Sequence, residues 1–429
     1  MQIRILDQVH PDYDHKQLEH MEALHSGGRE WREHIEHWLP QYAREPDEVW
    51  DERKKLAGYI NDAGPIVSML SALIFSESPQ VAGLDDPFYD ELLTDADRKG
   101  TPWARLWAAG LESAQVGQRW YCWVNMPSRD GMAVENRADE DRYGLRRAFM
   151  VPLTAEQVRN WGRDQDGLSW IMARGVVETQ GGPTQARQRA IRWTAITLTE
   201  TIQWEWVQTG DRMEPGPDEE ATEIARVSHA LGRVPVVELC LPNGLWTMGK
   251  MADAAVMSAR AQNDLAWALH QAANELLVIR SKASGSVTLG HGAYLALGQD
   301  DSAQFIGPSG VAFEHLERQV KTTREAVYRV VHQMAMSADG SASNAARSGE
   351  SKAMDWQALE IILASYQDLV LSAMQQALHI AADLRGDTSL DVRVSGLEGW
   401  RTEDLGAWLE QVILASEAPR LSPTYRREV

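Results

Sequence analysis

Residues 251–277 read MADAAVMSARAQNDLAWALHQAANELL, and residues 311–336 read VAFEHLERQVKTTREAVYRVVHQMAM. The first stretch carries nine alanines between Ala252 and Ala273. Alanine is the best helix former, and its small side chain lets backbones approach closely, so a long helix is predicted there. The second stretch places Phe313, Leu316, Val320, Val327, Val331 and Met334 on one stripe at helical spacing. Between them, residues 281–310 are rich in Gly and Ser, with short apolar runs at Ser286–Leu289, Ala293–Leu297 and Ala303–Ile306. A small β-rich excursion is expected. Ser337 to Ser351, containing Asp339-Gly340-Ser341-Ala342-Ser343-Asn344, has the composition of a loop. Residues 352–385 then form a third long helix, closed by Gly386. Helix, β excursion, helix, loop, helix is not the order of an ordinary enzyme core. It describes a hairpin that leaves the body of the protein and returns.

Working outward, the period changes in the middle third. Arg119–Val124, Arg147–Leu153, Leu168–Val177 and Val234–Leu241 read as strands. Ile191 to Val207 alternates apolar residues over two strands with one apolar face. Six of the 17 tryptophans, Trp120, Trp123, Trp170, Trp193, Trp204 and Trp206, fall in these strands, and core is the expected place for them. Upstream, helical spacing runs from Trp50 to Phe75, with a break at Gly64-Pro65. Pro102 opens a further helix that ends near Gly117. Downstream, a strand at Leu390–Val394 and a short helix at Thr402–Ala415 finish the chain. The fold class predicted is α+β, predominantly helical.

Composition narrows function. The chain has 429 residues, with Lys+Arg 42 against Asp+Glu 62 and a formal charge of -20. That balance argues against a protein that holds nucleic acid by a broad basic surface, though not against one past which nucleic acid slides. Cys122 and Cys240 are far apart, so there is no disulfide framework. Met1-Gln2-Ile3-Arg4-Ile5-Leu6-Asp7 is too short an apolar run for a signal peptide. The longest apolar stretch, Pro65–Phe75, falls short of the roughly 20 residues a membrane span needs. A soluble intracellular protein without a membrane partner is expected.

Motifs for chemistry are tempting but incomplete. Gly244-Leu245-Trp246-Thr247-Met248-Gly249-Lys250-Met251 lies between a predicted strand and a predicted helix, where a phosphate loop would sit. Met251 stands where Ser or Thr would hold Mg²⁺. A nucleotide-binding enzyme using Gly244–Lys250 is therefore the alternative reading, not the leading one. His10, His15, His20 and His25 recur every five residues, with His34 and His37 beyond. On a helix five residues advance about 500°, so these side chains drift round the surface and do not converge. No metal, cofactor or catalytic residue is assigned. Asp85-Asp86 and Asp300-Asp301 read as solvated pairs, and Glu205 should lie on the strand face opposite Trp204 and Trp206.

Several stretches, taken in order, resemble the portal protein family of tailed double-stranded-DNA bacteriophages. They are Glu48 to Arg53 with Tyr59-Ile60-Asn61 and Ile66 to Phe75; Asp95 to Gly100, the helix to Gly117, and Trp120 to Pro127; and Leu153 to Trp161. Then come the Ala-rich helix joined to Gly290-His291-Gly292-Ala293-Tyr294-Leu295-Ala296-Leu297, and Phe305 to Gly310 through Ser348 to Lys352. The set covers residues 48 to about 396. It implies a ring, usually of twelve subunits, at one capsid vertex, through which DNA is packaged and later ejected. It implies a wing from residues 1–249 and 352–396, stem helices at 250–278 and 312–336, a clip at 279–311, a tunnel loop at 337–351 and a short crown at 397–429. The implied partners are other copies of the chain, sequence-independent double-stranded DNA, the major capsid protein, the terminase large subunit, a head-completion or adaptor protein and, optionally, a scaffolding protein. The implied place is the virion, with assembly in the host cytoplasm. The resemblance implies a structural conduit with no chemistry of its own, the DNA being driven by a separate terminase ATPase; another minor head or connector protein is a further alternative reading.

The resemblance also implies site residues. Asp339, Ser341, Asn344, Arg347, Ser351 and Lys352 would face DNA from the tunnel loop. Arg318, Lys321, Arg324 and Arg329 would do so from the second stem helix, and Arg280, Lys282, His291 and Tyr294 would meet partners at the clip. Charge distribution agrees in part. Residues 1–100 hold 10 basic and 21 acidic residues, whereas residues 250–352 hold 10 of each. A near-neutral wall suits a conduit, because each firm phosphate contact resists translocation. The same helical cations can instead pair within the helix, Arg318 with Glu314 and Lys321 with Glu317, in the favourable acid-first order. Likewise, the Ala-rich helix suits packing against a neighbouring stem but is also what an ordinary core helix looks like.

Overall fold

The structure is a computed structural model and describes residues 1–84, 86–127, 139, 147–165, 167–180, 182–184, 186–208, 212–229, 231–273, 276–280, 302–306, 310–338, 349–387 and 391–401. In chain order it begins with α1 (Ile3–Leu6), α2 (His15–Ser26), α3 (Gly28–Glu33), α4 (Ile35–Trp38), α5 (Asp47–Leu56) and α6 (Ala63–Ile74). β1 (Gln80–Ala82), α7 (Pro87–Thr94) and α8 (Trp103–Gly117) follow. The strand region holds β2 (Arg119–Asn125), β3 (Phe149–Thr154), β4 (Val158–Asp164), β5 (Gly167–Thr179), β6 (Gln188–Thr197), β7 (Glu200–Val207), β8 (Thr222–Ser228) and β9 (Val236–Cys240). Then come α9 (Thr247–Ala273), β10 (Leu276–Arg280), β11 (Ser302–Ile306), α10 (Gly310–Ala338), α11 (Gly349–Arg385) and β12 (Arg393–Ser395). With 48% helix and 24% strand among the described residues, this is a mixed α and β protein, so "predominantly helical" understates its strands.

The chain divides into two units. The larger comprises Met1–His25, Gly64–Lys250 and Val330–Val429; the smaller comprises Ser26–Ala63 and Met251–Arg329.

In the larger unit, β4-β5-β6-β7-β8 form an antiparallel sheet and β3-β2-β9 a second one. Strand alternation decides the two faces. One face of the long sheet presents Ile171, Ala173 and Ile196, which pack with Tyr121, Trp123 and Val236 of the smaller sheet and with Val158 and Trp161. The other presents Ile191, Trp193, Ile202 and Trp204, covered by Ile3 and Leu6 of α1. Trp120, Trp123, Trp193 and Trp204 are buried as expected. Trp206 is half-buried, and Trp170 is 37% exposed, its ring lying over Gly162, where any side chain would collide with it. α11 crosses this unit with Ile362, Tyr366, Val370, Met374 and Leu378 buried, in contact with β2, β9 and β12. β4 and β8 escape sequence reading because they are edge strands. Their polar residues face solvent and blur the alternation.

The smaller unit packs α3, α4 and α5 with the 251–273 part of α9 and the 310–329 part of α10. Trp31 and Trp38 are buried, and Trp38 Nε1 donates to the Trp31 carbonyl at 3.0 Å. Arg53 is buried too, donating to both oxygens of Glu45 and to the Pro40 carbonyl. Ala255, Ala259 and Ala261 of α9 are buried. Asn263 and Gly58 exchange two hydrogen bonds, at 2.8 and 2.9 Å. So these alanines serve packing inside the chain, while Met257 and Leu269 on the same helix are 59% and 50% exposed.

Two boundaries need correction. The first long helix ends at Ala273, and Leu276–Arg280 is a strand, where a stem helix was expected to reach residue 278. β-branched Val278 and Ile279 favour the extended conformation. The expected loop at 337–351 is also too long. Ser337 and Ala338 belong to α10, and Gly349 to Ser351 begin α11, where Gly and Ser cost little in a first turn that lacks internal N–H partners.

Candidate nucleic-acid interface

Helix α10 carries four of the cations expected on the DNA path, Arg318, Lys321, Arg324 and Arg329. Arg318, Lys321 and Arg329 are exposed, as are Glu314, Glu317 and Glu325. Among the described residues, no ion pair joins Arg318 to Glu314 or Lys321 to Glu317. The spacing permits these pairs, but an exposed pair gains little over hydration and orders two long side chains. Three cations therefore stand in solvent along one helix of the smaller unit, interleaved with carboxylates.

Arg324 behaves differently. Its Nε and Nη2 donate to Asp62 Oδ2 and Oδ1 at 3.0 and 2.8 Å. Tyr328 Oη adds a third donor to Asp62 Oδ1 at 3.4 Å. Asp62 is 7% exposed, while the Arg324 side chain is 43% exposed. The hydrogen bonds to Asp62 raise the Arg324 pKa above the ordinary arginine value. Burial, then the Asp62 charge, raise that of Tyr328. Arg324 is thus a strut of the smaller unit. Sequence reading missed it because Asp62 lies 262 residues away and carries no local signal.

Thr323 turns its hydroxyl back onto the Gln319 and Val320 carbonyls, at 2.9 and 3.0 Å. Val327 is fully buried, and Phe313, Leu316 and Val320 are half-buried, so the apolar stripe faces inward over this part of α10. Arg280 is exposed at the end of β10, opposite Ser302 of β11. Lys282, His291, Tyr294, Asp339, Ser341, Asn344 and Arg347 lie outside the described residues. Ser351 and Lys352 are placed in the first turn of α11; a loop was expected at Ser351, whereas helix was expected from Lys352 onward.

The Gly244–Lys250 stretch is folded against its own side chains. A turn closes from Leu245 N–H to the Pro242 carbonyl at 2.8 Å. Trp246 Nε1 donates to the Val116 carbonyl at 3.0 Å, and its ring lies on Gly249, where a Cβ would come within 2.3 Å. Gly249 is bare to admit an indole. Thr247 is buried, bonded to Gln115 Oε1 at 3.1 Å and sharing a hydrogen bond with Tyr366 Oη at 2.6 Å.

Other tempting residues have separate partners. His10 stacks on Trp161 at 4.0 Å, His15 pairs with Glu19 at 3.2 Å, and His25 reaches Glu112 at 3.2 Å. Asp86 caps α7 through Phe88 N–H and pairs with Arg385 at 2.6 Å, so it is not a simply solvated residue. Glu205 lies on the face away from the tryptophans and pairs with Arg192, directly opposite it on β6. Burial pushes the Cys122 thiol far up, which makes it inert. No helix among the described residues is long and apolar enough to cross a membrane.

No protein-family model matches the chain, and no curated protein matches it. A solved structure, "Neck of empty GTA particle computed with C6 symmetry", aligns over 94% of this chain and 93% of that chain, at 14% identity and a TM-score of 0.39. Likeness at that level defines neither fold nor role.

Proposed function

We propose that this chain is a subunit of a portal-type ring, a passive conduit for double-stranded DNA at one vertex of a phage-like particle. One observation carries the reading. β10 and β11 pair antiparallel, from Leu276 opposite Ile306 to Arg280 opposite Ser302. That pairing brings the end of the 27-residue α9 beside the start of the 29-residue α10. It is what a stem–clip–stem hairpin requires of its base. In this reading residues 279–311 meet terminase and later a head-completion protein, and residues 339–348 approach the DNA. Arg318, Lys321 and Arg329 give weak, sequence-blind contact with passing phosphates. Being solvated and interleaved with Glu314, Glu317 and Glu325, they hold no phosphate firmly, which suits a surface past which DNA must slide. The chain supplies no bond-making step of its own.

Native mass spectrometry with class averages down the particle axis tests the assembly. A closed ring with a central hole is expected, and a strict monomer at capsid-assembly concentrations refutes the reading. In assembled particles, the triple variant R318E/K321E/R329E should keep the ring and package less DNA. Undiminished packaging would take α10 off the DNA path.

A further inference from the structure

In sequence, residues 26–63 of the smaller unit interrupt the larger one, and the flanking segments of the larger unit share a carboxylate. The chain leaves the larger unit after His25 and re-enters it at Gly64. His25 ends the part of α2 that belongs to the larger unit, and α6 begins at Ala63 and carries Ser68 one turn further on. Both meet Glu112 of α8 at the same oxygen. Glu112 Oε1 accepts from Ser68 Oγ at 2.5 Å and pairs with His25 Nε2 at 3.2 Å.

We propose that Glu112 is a clasp that fixes both crossings of the 26–63 insertion at once, and that it holds while His25 carries a proton.

The surroundings support this. The His25 side chain is 18% exposed and that of Glu112 32%, so the pair is largely withdrawn from water. Among the described residues, charges beside His25 include Glu22 on its own helix, at 3.9 Å, and Glu112 on α8, while α6 presents the neutral Ser68 to the same Glu112 oxygen. Burial opposes the charge on His25, but the hydrogen bond to Glu112 and the nearby negative charge of Glu22 outweigh it and push its pKa up to about 9. The hydrogen bond from His25 holds the Glu112 carboxyl below the usual carboxylate range despite burial. Past the clasp, Gly27 and Gly28 both take positive φ, +66° and +56°, where an L side chain is strained.

Hydrogen exchange on the full chain at pH 7 tests it. With Glu112→Gln, amides in residues 26–31 and in residues 63–68 should both exchange at least about tenfold faster, while β5 and β6 keep their protection. Unchanged exchange in both stretches, or acceleration in only one, overturns the shared clasp. If Glu112→Gln loosens every element, Ser68→Ala replaces it. Faster exchange confined to 63–68 then supports the clasp, and native exchange there overturns it. His25→Asn, which cannot take the charge in this range, should reproduce the faster exchange at 26–31; native behaviour would remove the proton from the account.

Discussion

Replacing Arg324 by alanine separates a strut from a DNA contact. Asp62 is 7% exposed and would lose both guanidinium bonds, keeping only the longer one from Tyr328. Breaking a fully buried ion pair by removing one partner costs about 3–5 kcal/mol, and an exposed pair is worth about 0–1 kcal/mol. Here one partner is buried and the other is 43% exposed, so the loss should fall between these, at about 2 kcal/mol. That is roughly a 30-fold rise in local opening, since about 1.4 kcal/mol is a factor of ten. Native-state hydrogen exchange reads it in peptides covering 57–62 and 320–328. Arg318→Ala is the control, because Arg318 is exposed and has no ion pair among the described residues; it should change exchange by less than about threefold. In the double variant D62N/R324A the losses should not add, because the two residues share one interaction. If Arg324→Ala is as silent as Arg318→Ala, the clamp does not stabilise the unit, and Arg324 returns to the expected DNA-facing set.

Three further outcomes are expected. His25 has its folded pKa raised to about 9 from an ordinary 6.5, so its contribution to stability is present in full below pH 6.5 and is lost as pH rises through 9. Urea midpoints should fall over that window in the native chain and stay flat in His25→Asn; a flat native profile contradicts the assignment. Gly110→Ala should destabilise although alanine is the better helix former by about 1 kcal/mol. Its Cβ would sit 2.8–2.9 Å from three atoms of the Trp120 ring, which is 2% exposed and packed on Trp107, and overpacking costs about 1–3 kcal/mol; a raised melting temperature would show that the ring can yield. Tyr366→Phe removes the donor to the Leu245 carbonyl at 2.6 Å and a partner of buried Thr247, and should cost about 1–3 kcal/mol in thermal unfolding; an unchanged midpoint would make this network ornamental.

Several elements were legible in the sequence because their signals are local. The nine alanines of α9, the apolar stripe of α10 and the alternation across Ile191 to Val207 each follow a local pattern, and the helices and strands form there, although α9 ends at Ala273, before the expected boundary. Glu205 is an example of how far this reaches: a period of two puts it opposite its neighbouring tryptophans, and there it pairs with Arg192. The edge strands β4 and β8 were not legible, since solvent on one side leaves their residues without a pattern to obey. The long-range partners were not legible either. Arg324 and Lys321 differ little in sequence, yet one is locked to Asp62 and the other stands in water. Nor does a motif announce that Trp246 fills the space over Gly249, or that His25 and Ser68 share an oxygen of Glu112. Backbone propensity acts over a few residues and is written in the chain itself. Which charges are paired and which remain free depends on segments brought together from hundreds of residues apart, and only tertiary packing decides that.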